Sequence, residues 1–180
     1  MKSTTKIKML TILAVSAFYS TTSFAQKNDT QSYDQRFKLG IGLSASGVFD
    51  DPYKFSVGAD ARLQYNLTKR YSLTFTSGFS DLAVNGENND LGYVPVKLGF
   101  KAFIYENSFY VMGEAGDAFA VTNHYNKNSL LFAPSIGYAT KYIDLSLRYE
   151  YFPDFPTDNN GSVSKGVSQL GLRIAYGFDL

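Results

Sequence analysis

The sequence predicts an all-β protein, an eight-stranded antiparallel up-and-down transmembrane β-barrel. Eight short segments alternate apolar residues with small or polar ones. A strict period of two is typical of strands whose two faces meet different environments. The connections between the segments alternate between short and long. Sorting of this kind, with short turns at one rim and long loops at the other, is typical of membrane barrels.

The first 25 residues have the features of a signal peptide. Lys2, Lys6 and Lys8 precede an apolar run at 9–18, and a small-x-small sequence stands at 23–25. These features predict secretion through the inner membrane and removal of residues 1–25. An uncleaved membrane anchor is disfavoured because a spanning helix needs about 20 apolar residues.

Composition limits what the mature chain can do. Three of the 17 basic residues lie in the signal peptide, which leaves 14 against 16 acidic residues. This balance argues against nucleic-acid binding. The chain has no cysteine, so disulfides, thiolate metal sites and a lipoprotein anchor are excluded. Residues 26–35 are polar and without a pattern, and we interpret them as a short periplasmic leader before a barrel domain at 36–180.

Each predicted strand is long enough to cross a bilayer at a tilt, which takes about 9–11 residues. The predicted strands are 36–47, 54–66, 70–80, 92–104, 108–119, 131–141, 142–151 and 167–178. The turns after the second, fourth and sixth strands are tight, whereas the other connections are longer. With a periplasmic N-terminus, the long loops point away from the cell.

Periodicity alone does not decide which face of the barrel is apolar. A soluble lipocalin-like carrier has an apolar lumen, whereas a membrane barrel faces lipid with its apolar side. Three features favour the membrane: the apolar face is continuous, as at 55–65; aromatic residues gather near strand ends; and the other face mixes glycines with charges of both signs. An eight-stranded barrel is just wide enough for such side chains to fill it.

The lumen is therefore predicted to be filled by small side chains and by a charge network that stabilises and closes it. The predicted network residues are Asp60, Arg62, Lys97, Glu114, Arg148 and Glu150. A narrow porin-like channel is the alternative for the same inward charges.

Two prolines and one aspartate test this strand assignment. Pro95 and Pro134 each remove a ladder hydrogen bond, so we expect them at the outer rim, beside bulges. With Glu114 pointing inward, Asp117 falls on the lipid side. A bulge, or an exit of the strand from the membrane before Asp117, is then required.

Three stretches carry a resemblance to a known family. "YVPVKLGFKAF" at 93–103, "FYVMGEAG" at 109–116 and "LGLRIAYGF" at 170–178 resemble the outer-membrane β-barrel domain family common in Bacteroidetes. That family is similar in architecture to OmpA/OmpX-type barrels. The resemblance covers residues 36–180, but the chain ends in "GFDL" rather than in the terminal aromatic that barrel-assembly machinery favours. No peptidoglycan-binding domain follows the barrel, so wall tethering is not expected.

The resemblance implies a barrel in the cell outer membrane, and we expect this barrel to be a monomer. Its expected partners are outer-membrane lipid and lipopolysaccharide, and the barrel-assembly machinery during biogenesis. We expect a structural or surface-interaction role, with any recognition in the long outer loops.

We predict no enzymatic activity and no cofactor. His124, the single histidine, could join Ser129 and Glu114 in a lipid-modifying enzyme. Lipid A deacylase barrels would need a serine at 126, where Asn126 stands. Loops at 85–90 and 157–161 offer oxygen ligands without EF-hand spacing, so weak divalent-cation binding is a further alternative.

Overall fold

The computed structural model describes residues 36–84, 90–105, 108–122, 128–156 and 165–180. Its eight strands are β1 (Phe37–Val48), β2 (Tyr53–Asn66), β3 (Tyr71–Val84), β4 (Leu91–Tyr105), β5 (Phe109–Ala120), β6 (Asn128–Ala139), β7 (Ile143–Phe152) and β8 (Val167–Asp179). β3 ends four residues later than predicted and β6 begins three residues earlier. The predicted signal peptide and leader lie outside the described residues.

The eight strands form one closed antiparallel barrel. Each strand pairs with its neighbours in sequence, and β1 pairs with β8 to close the sheet. Past the end of β8, the Leu180 N–H donates to the Phe37 carbonyl at 2.9 Å. These findings confirm the predicted fold class. In the described part of the chain, no helix is long and apolar enough to cross a membrane.

The two ends of the barrel differ in their connections. The termini end carries Phe37, Asp179, the tight turns at 67–70 and 140–142, and the short connection between β4 and β5. The Thr68 hydroxyl accepts hydrogen bonds from the Arg70 and Tyr71 N–H groups at 3.2 and 3.0 Å, which fixes the first turn. The loop end carries the connections at 49–52, 85–90, 121–127 and 153–166.

The apolar face of every strand points outward. Leu98 of β4 is 68 % exposed, and Leu172 and Ile174 of β8 are nearly as exposed. A band of this kind around the molecule is far larger than the apolar patches of soluble monomers. The lipocalin-like arrangement, with the apolar face inside, is therefore wrong for this chain.

Aromatic side chains form a belt on the outer surface near the termini end. Rings pair across neighbouring strands at centroid distances of 4.8 to 6.4 Å. The pairs are Phe37–Tyr65, Tyr105–Phe109, Phe109–Tyr138 and Tyr142–Tyr176. Such girdles are typical of the interface between lipid and water.

The prolines interrupt the ladder without inserting a bulge. The β3–β4 pairing stops on either side of Pro95, and the β6–β7 pairing stops beside Pro134, but the register is the same before and after each gap. Because β6 begins at Asn128, Pro134 lies in mid-strand rather than at the rim. The expectation of flanking bulges was wrong, since one lost hydrogen bond needs no extra residue.

Asp117 lies on the outer face, opposite Val96 and Leu130. β5 has no register shift between Glu114 and Asp117, so the bulge considered above is absent from this strand. Ala120 ends β5 three residues later. The charge therefore lies towards the loop-end edge of the apolar band.

A lipid-facing position in mid-strand should not tolerate a charge. We expect Ile174→Arg to lower the free energy of unfolding by about 2–4 kcal/mol in phospholipid vesicles, because the guanidinium enters hydrocarbon. Val121→Arg is the matched control, since Val121 is similarly exposed but lies beyond β5. Urea titration measures both, and equal losses for the two variants would contradict the outward assignment.

Candidate functional site

The lumen of the barrel is the candidate functional site, and it changes character along its length. Apolar side chains fill it at the loop end, ion pairs cross its middle, and a cavity opens at the termini end.

An apolar plug closes the loop end. It consists of buried side chains from seven strands and from the connection after β7, namely Tyr53, Leu82, Leu91, Tyr93, Ala118, Leu131, Phe152, Phe155 and Val167. Phe155 folds inward from that connection and stacks on Phe152 at a centroid distance of 4.9 Å. Tyr93 meets both rings edge-on at 5.2 and 5.6 Å. These contacts hold the start of the connection, at 153–156, inside the mouth of the barrel.

Two hydrogen bonds from backbone N–H groups to side chains fix the start of the connection after β7. The Asp154 N–H donates to the Ser129 hydroxyl at 3.0 Å, and the Leu130 N–H donates to the Asp154 carboxylate at 3.4 Å. Phe155 is fully buried as a result. The expectation that small and charged residues alone fill the lumen was therefore incomplete.

All six residues of the predicted charge network face the lumen and are buried. An Arg62 Nη2 to Glu114 Oε2 distance of 3.1 Å joins β2 to β5. Lys97 Nζ lies 3.9 Å from Glu114 Oε2 and 2.8 Å from Glu150 Oε1. Arg148 Nε lies 3.2 Å from the same Glu150 oxygen.

Three further residues, which the predicted network did not include, extend these contacts. The Arg173 guanidinium contacts the Asp60 carboxylate through two nitrogens, at 2.8 Å for Nε and 2.5 Å for Nη2. It also lies 3.8 Å from Asp144, which Lys101 Nζ contacts at 2.7 Å. The Arg148 Nη1 to Asp60 Oδ2 distance of 3.9 Å links this group to the first.

The nine charged residues form one chain of alternating sign, here called the ion-pair chain. In order of contact its members are Arg62, Glu114, Lys97, Glu150, Arg148, Asp60, Arg173, Asp144 and Lys101. Buried charges are costly unless they are paired and hydrogen-bonded. In the ion-pair chain every buried charge is paired, since each member lies beside a charge of opposite sign.

Neutral side chains supply additional hydrogen bonds. The Thr76 hydroxyl donates to Glu114 Oε1 at 2.6 Å and accepts from Arg62 Nε at 3.0 Å. Gln169 Nε2 donates to Glu150 Oε2 at 2.5 Å. The Tyr110 hydroxyl donates to Asp144 at 2.7 Å.

Glycines provide the room that these side chains occupy. A Cβ at Gly42 would lie 2.7 Å from Arg173 Nη2, and one at Gly99 would lie 2.7 Å from Glu114 Cγ. The lumen of eight strands is narrow. Glycine at these positions therefore lets a long charged side chain lie across the neighbouring strand.

A cavity of about 320 Å³, here called the vestibule, opens at the termini end. Two acidic side chains, Asp144 and Asp179, line it. Six cationic side chains also line it, namely Lys38, Arg62, Lys69, Lys101, Lys141 and Arg173. The vestibule is therefore basic.

The enzyme and metal alternatives gain no support from the described residues. The described residues do not include His124, Asn126, or the loop residues 85–89 and 157–161. Ser129 pairs with Ala118 and Glu114 with Ala133, so the two side chains stand four residues apart along the β5–β6 ladder. Each is engaged elsewhere, Ser129 with Asp154 and Glu114 with Arg62. Within the described ranges, no group of three or more residues could hold a metal ion.

Comparison with known proteins identifies the fold. No family model and no curated protein matches the chain. The attachment invasion locus protein Ail of Yersinia pestis is 17% identical, with a TM-score of 0.53 over 80% of this chain and 99% of that one. The N-terminal β-barrel domain of Pseudomonas aeruginosa OprF is 11% identical, with a TM-score of 0.54 over 78% and 97%.

A de novo designed transmembrane β-barrel is 15% identical, with a TM-score of 0.50 over 78% of this chain and 95% of that one. At these identities the likeness shows the fold. The chain thus has the fold of the small outer-membrane β-barrels, the architecture that its strand pattern predicts.

Two lysine–aspartate pairs with the same 2.7 Å separation allow a controlled test of the ion-pair chain. Lys101–Asp144 lies in the lumen, with the lysine buried and the aspartate partly buried, whereas Lys54–Asp51 is exposed at the loop end. The hydrogen bond from Lys54 lowers the pKa of the Asp51 carboxyl. We expect Lys101→Met to lower the free energy of unfolding by about 2 kcal/mol, since of its two cations Asp144 loses the one at 2.7 Å and keeps only Arg173 at 3.8 Å.

Lys54→Met should leave the urea midpoint unchanged, because exposed pairs are screened by water. Arg148→Leu should also lower the midpoint, since Glu150 loses a partner at 3.2 Å. Unchanged midpoints for both lumen variants would show that the ion-pair chain does not stabilise the barrel.

Proposed function

We propose that this protein is a structural or surface-interaction barrel of the cell outer membrane that does not conduct ions. The observation that carries the proposal is the closure of the lumen. The apolar plug fills the loop end, and the ion-pair chain crosses the middle. Neither layer leaves the water-filled path that a porin-like channel needs.

The plug argues most strongly against the channel alternative. Leu82, Leu131, Phe152, Phe155 and Val167 have no solvent-exposed surface. An ion that passed this layer would lose its hydration without gaining a polar partner, which is costly. Strands of the barrel would have to separate, or the connection after β7 would have to leave the mouth, before ions could pass.

A role at the cell surface follows from the remaining exposed parts. The apolar band and the aromatic belt suit contact with outer-membrane lipid and lipopolysaccharide. The long connections leave the barrel at the loop end, which faces outward if the N-terminus is periplasmic. The name of Ail, an attachment invasion locus protein, supports attachment as the kind of interaction to test. We further propose that the protein is a monomer inserted by the barrel-assembly machinery.

Cysteine labelling on intact cells tests this placement, because the chain has no cysteine of its own. We expect Lys165→Cys, at the loop end, to react with a membrane-impermeant maleimide on intact cells. Lys69→Cys, in a turn at the termini end, should react only after lysis. The reverse pattern would contradict the proposed orientation and with it the surface role of the loops.

Planar-bilayer recording tests the absence of conduction. We expect the purified barrel to produce no stepwise currents in membranes where a known porin, added as a positive control, does. Discrete currents from the unmodified protein would contradict closure of the lumen and restore the channel alternative.

A further inference from the structure

The ion-pair chain is incomplete in one respect. It has nine alternating members, and both of its ends, Arg62 and Lys101, are cations. Both ends line the vestibule. Lys101 also donates a long 3.4 Å hydrogen bond to Gln64, the neutral side chain beside it in the cavity. An anion between Arg62 and Lys101 would continue the alternation and join the two ends.

Arg62, which lines the vestibule, retains an unused donor. Its Nε donates to Thr76 and its Nη2 to Glu114. Its Nη1 is buried and has no hydrogen-bond partner among the described residues. A guanidinium has five N–H donors, and a buried donor without an acceptor is unfavourable. An acceptor supplied by a bound ligand would remove this deficit.

Three lysines surround the opening of the vestibule. Lys38 comes from β1, and Lys69 and Lys141 come from two of the tight turns. In the part of the chain that the structure describes, none of them has a carboxylate within ion-pair distance. The Lys141 Nζ lies 5.1 Å from the centroid of the Tyr142 ring.

Lys38 is held in place across the opening. Its Nζ donates a hydrogen bond to the Lys141 carbonyl at 2.5 Å. Its Cε lies 2.8 Å from the position that a Cβ on Gly177 would occupy, so only glycine leaves room for it there. The side chain therefore crosses β8 and reaches the turn between β6 and β7. This places the Lys38 ammonium beside the turn that carries Lys141.

We propose that the vestibule is a binding site for a phosphate-bearing anion, seated between Arg62 and Lys101 behind the three lysines of the opening. The cavity volume of about 320 Å³ is many times the share of one water molecule in the liquid, about 30 Å³. A phosphate group therefore fits inside it together with bridging waters.

Phosphate chemistry suits this arrangement better than a carboxylate does. A phosphate offers several acceptor oxygens and more than one negative charge, and it can accept from several converging donors at once. The vestibule supplies such donors from β1, β2, β4 and two turns. The group could belong to a soluble periplasmic phosphate or to a lipid headgroup at the inner edge of the membrane.

Binding of two phosphate probes tests the proposal. The full barrel is refolded in a phosphate-free nonionic detergent, and titration calorimetry is carried out at low salt with pyrophosphate and, separately, with dihexanoylphosphatidic acid. We expect saturable binding that weakens as salt is added, because the interaction is electrostatic.

The double variant Lys69→Gln/Lys141→Gln should bind roughly tenfold more weakly. Both side chains are exposed, so the barrel should still fold. Lys54→Gln/Lys165→Gln removes two exposed lysines from the loop end and should bind as the unmodified protein does. A detergent gel run with and without boiling verifies that each variant folds, because the band of a folded barrel shifts on boiling.

The two probes separate the sources of the phosphate. Binding of pyrophosphate alone supports a soluble ligand, and binding of the short-chain lipid alone supports a headgroup. Absence of saturable binding with both probes would overturn the proposal, as would equal weakening by the two double variants.

Discussion

Closure of an eight-stranded sheet is the constraint on which the rest of this structure depends. Closure gives every strand two neighbours and turns one face of the sheet towards a narrow lumen. Side chains that enter this space lose contact with water. Charges there must therefore be paired, and long side chains need glycines beside them, as Arg173 does beside Gly42.

The same constraint explains why the lumen differs at its two ends. At the loop end, a long connection is available to fold inward, and Phe155 completes an apolar layer with Phe152 and Tyr93. At the termini end, the tight turns at 67–70 and 140–142 are too short to enter the barrel, and among the described residues the lumen widens into the vestibule. One end is closed by packing and the other is lined by charge.

Much of the fold could be predicted from the sequence because a period of two is a local signal. The alternation placed Asp60 and Glu114 on the inward face and Leu172 on the outward face, where the structure has them. Strand ends were harder to place, since Asn128 and Ser129 have little strand propensity. They extend β6 because they pair with β5.

Which charges meet could not be predicted, because this depends on register across the barrel. Lys97 and Glu150 lie 53 positions apart in the chain but 2.8 Å apart in the lumen. Arg173, Asp144 and Lys101 carried the same inward signal as the six predicted residues, and their place in the ion-pair chain emerged only from the contacts. Phe155 lies outside the strands, where alternation gives no information. The large apolar residues on inward positions at the loop ends of the strands, such as Leu82 and Phe152, were the available signal for a plug.

The most direct test of the central claim, a closed barrel in the outer membrane, is a detergent gel of isolated outer membranes, run with and without boiling. Closed membrane barrels resist unfolding by detergent until they are heated. The account predicts that the protein is found in the outer-membrane fraction and that its band shifts on boiling. A soluble protein whose band does not shift would contradict the account.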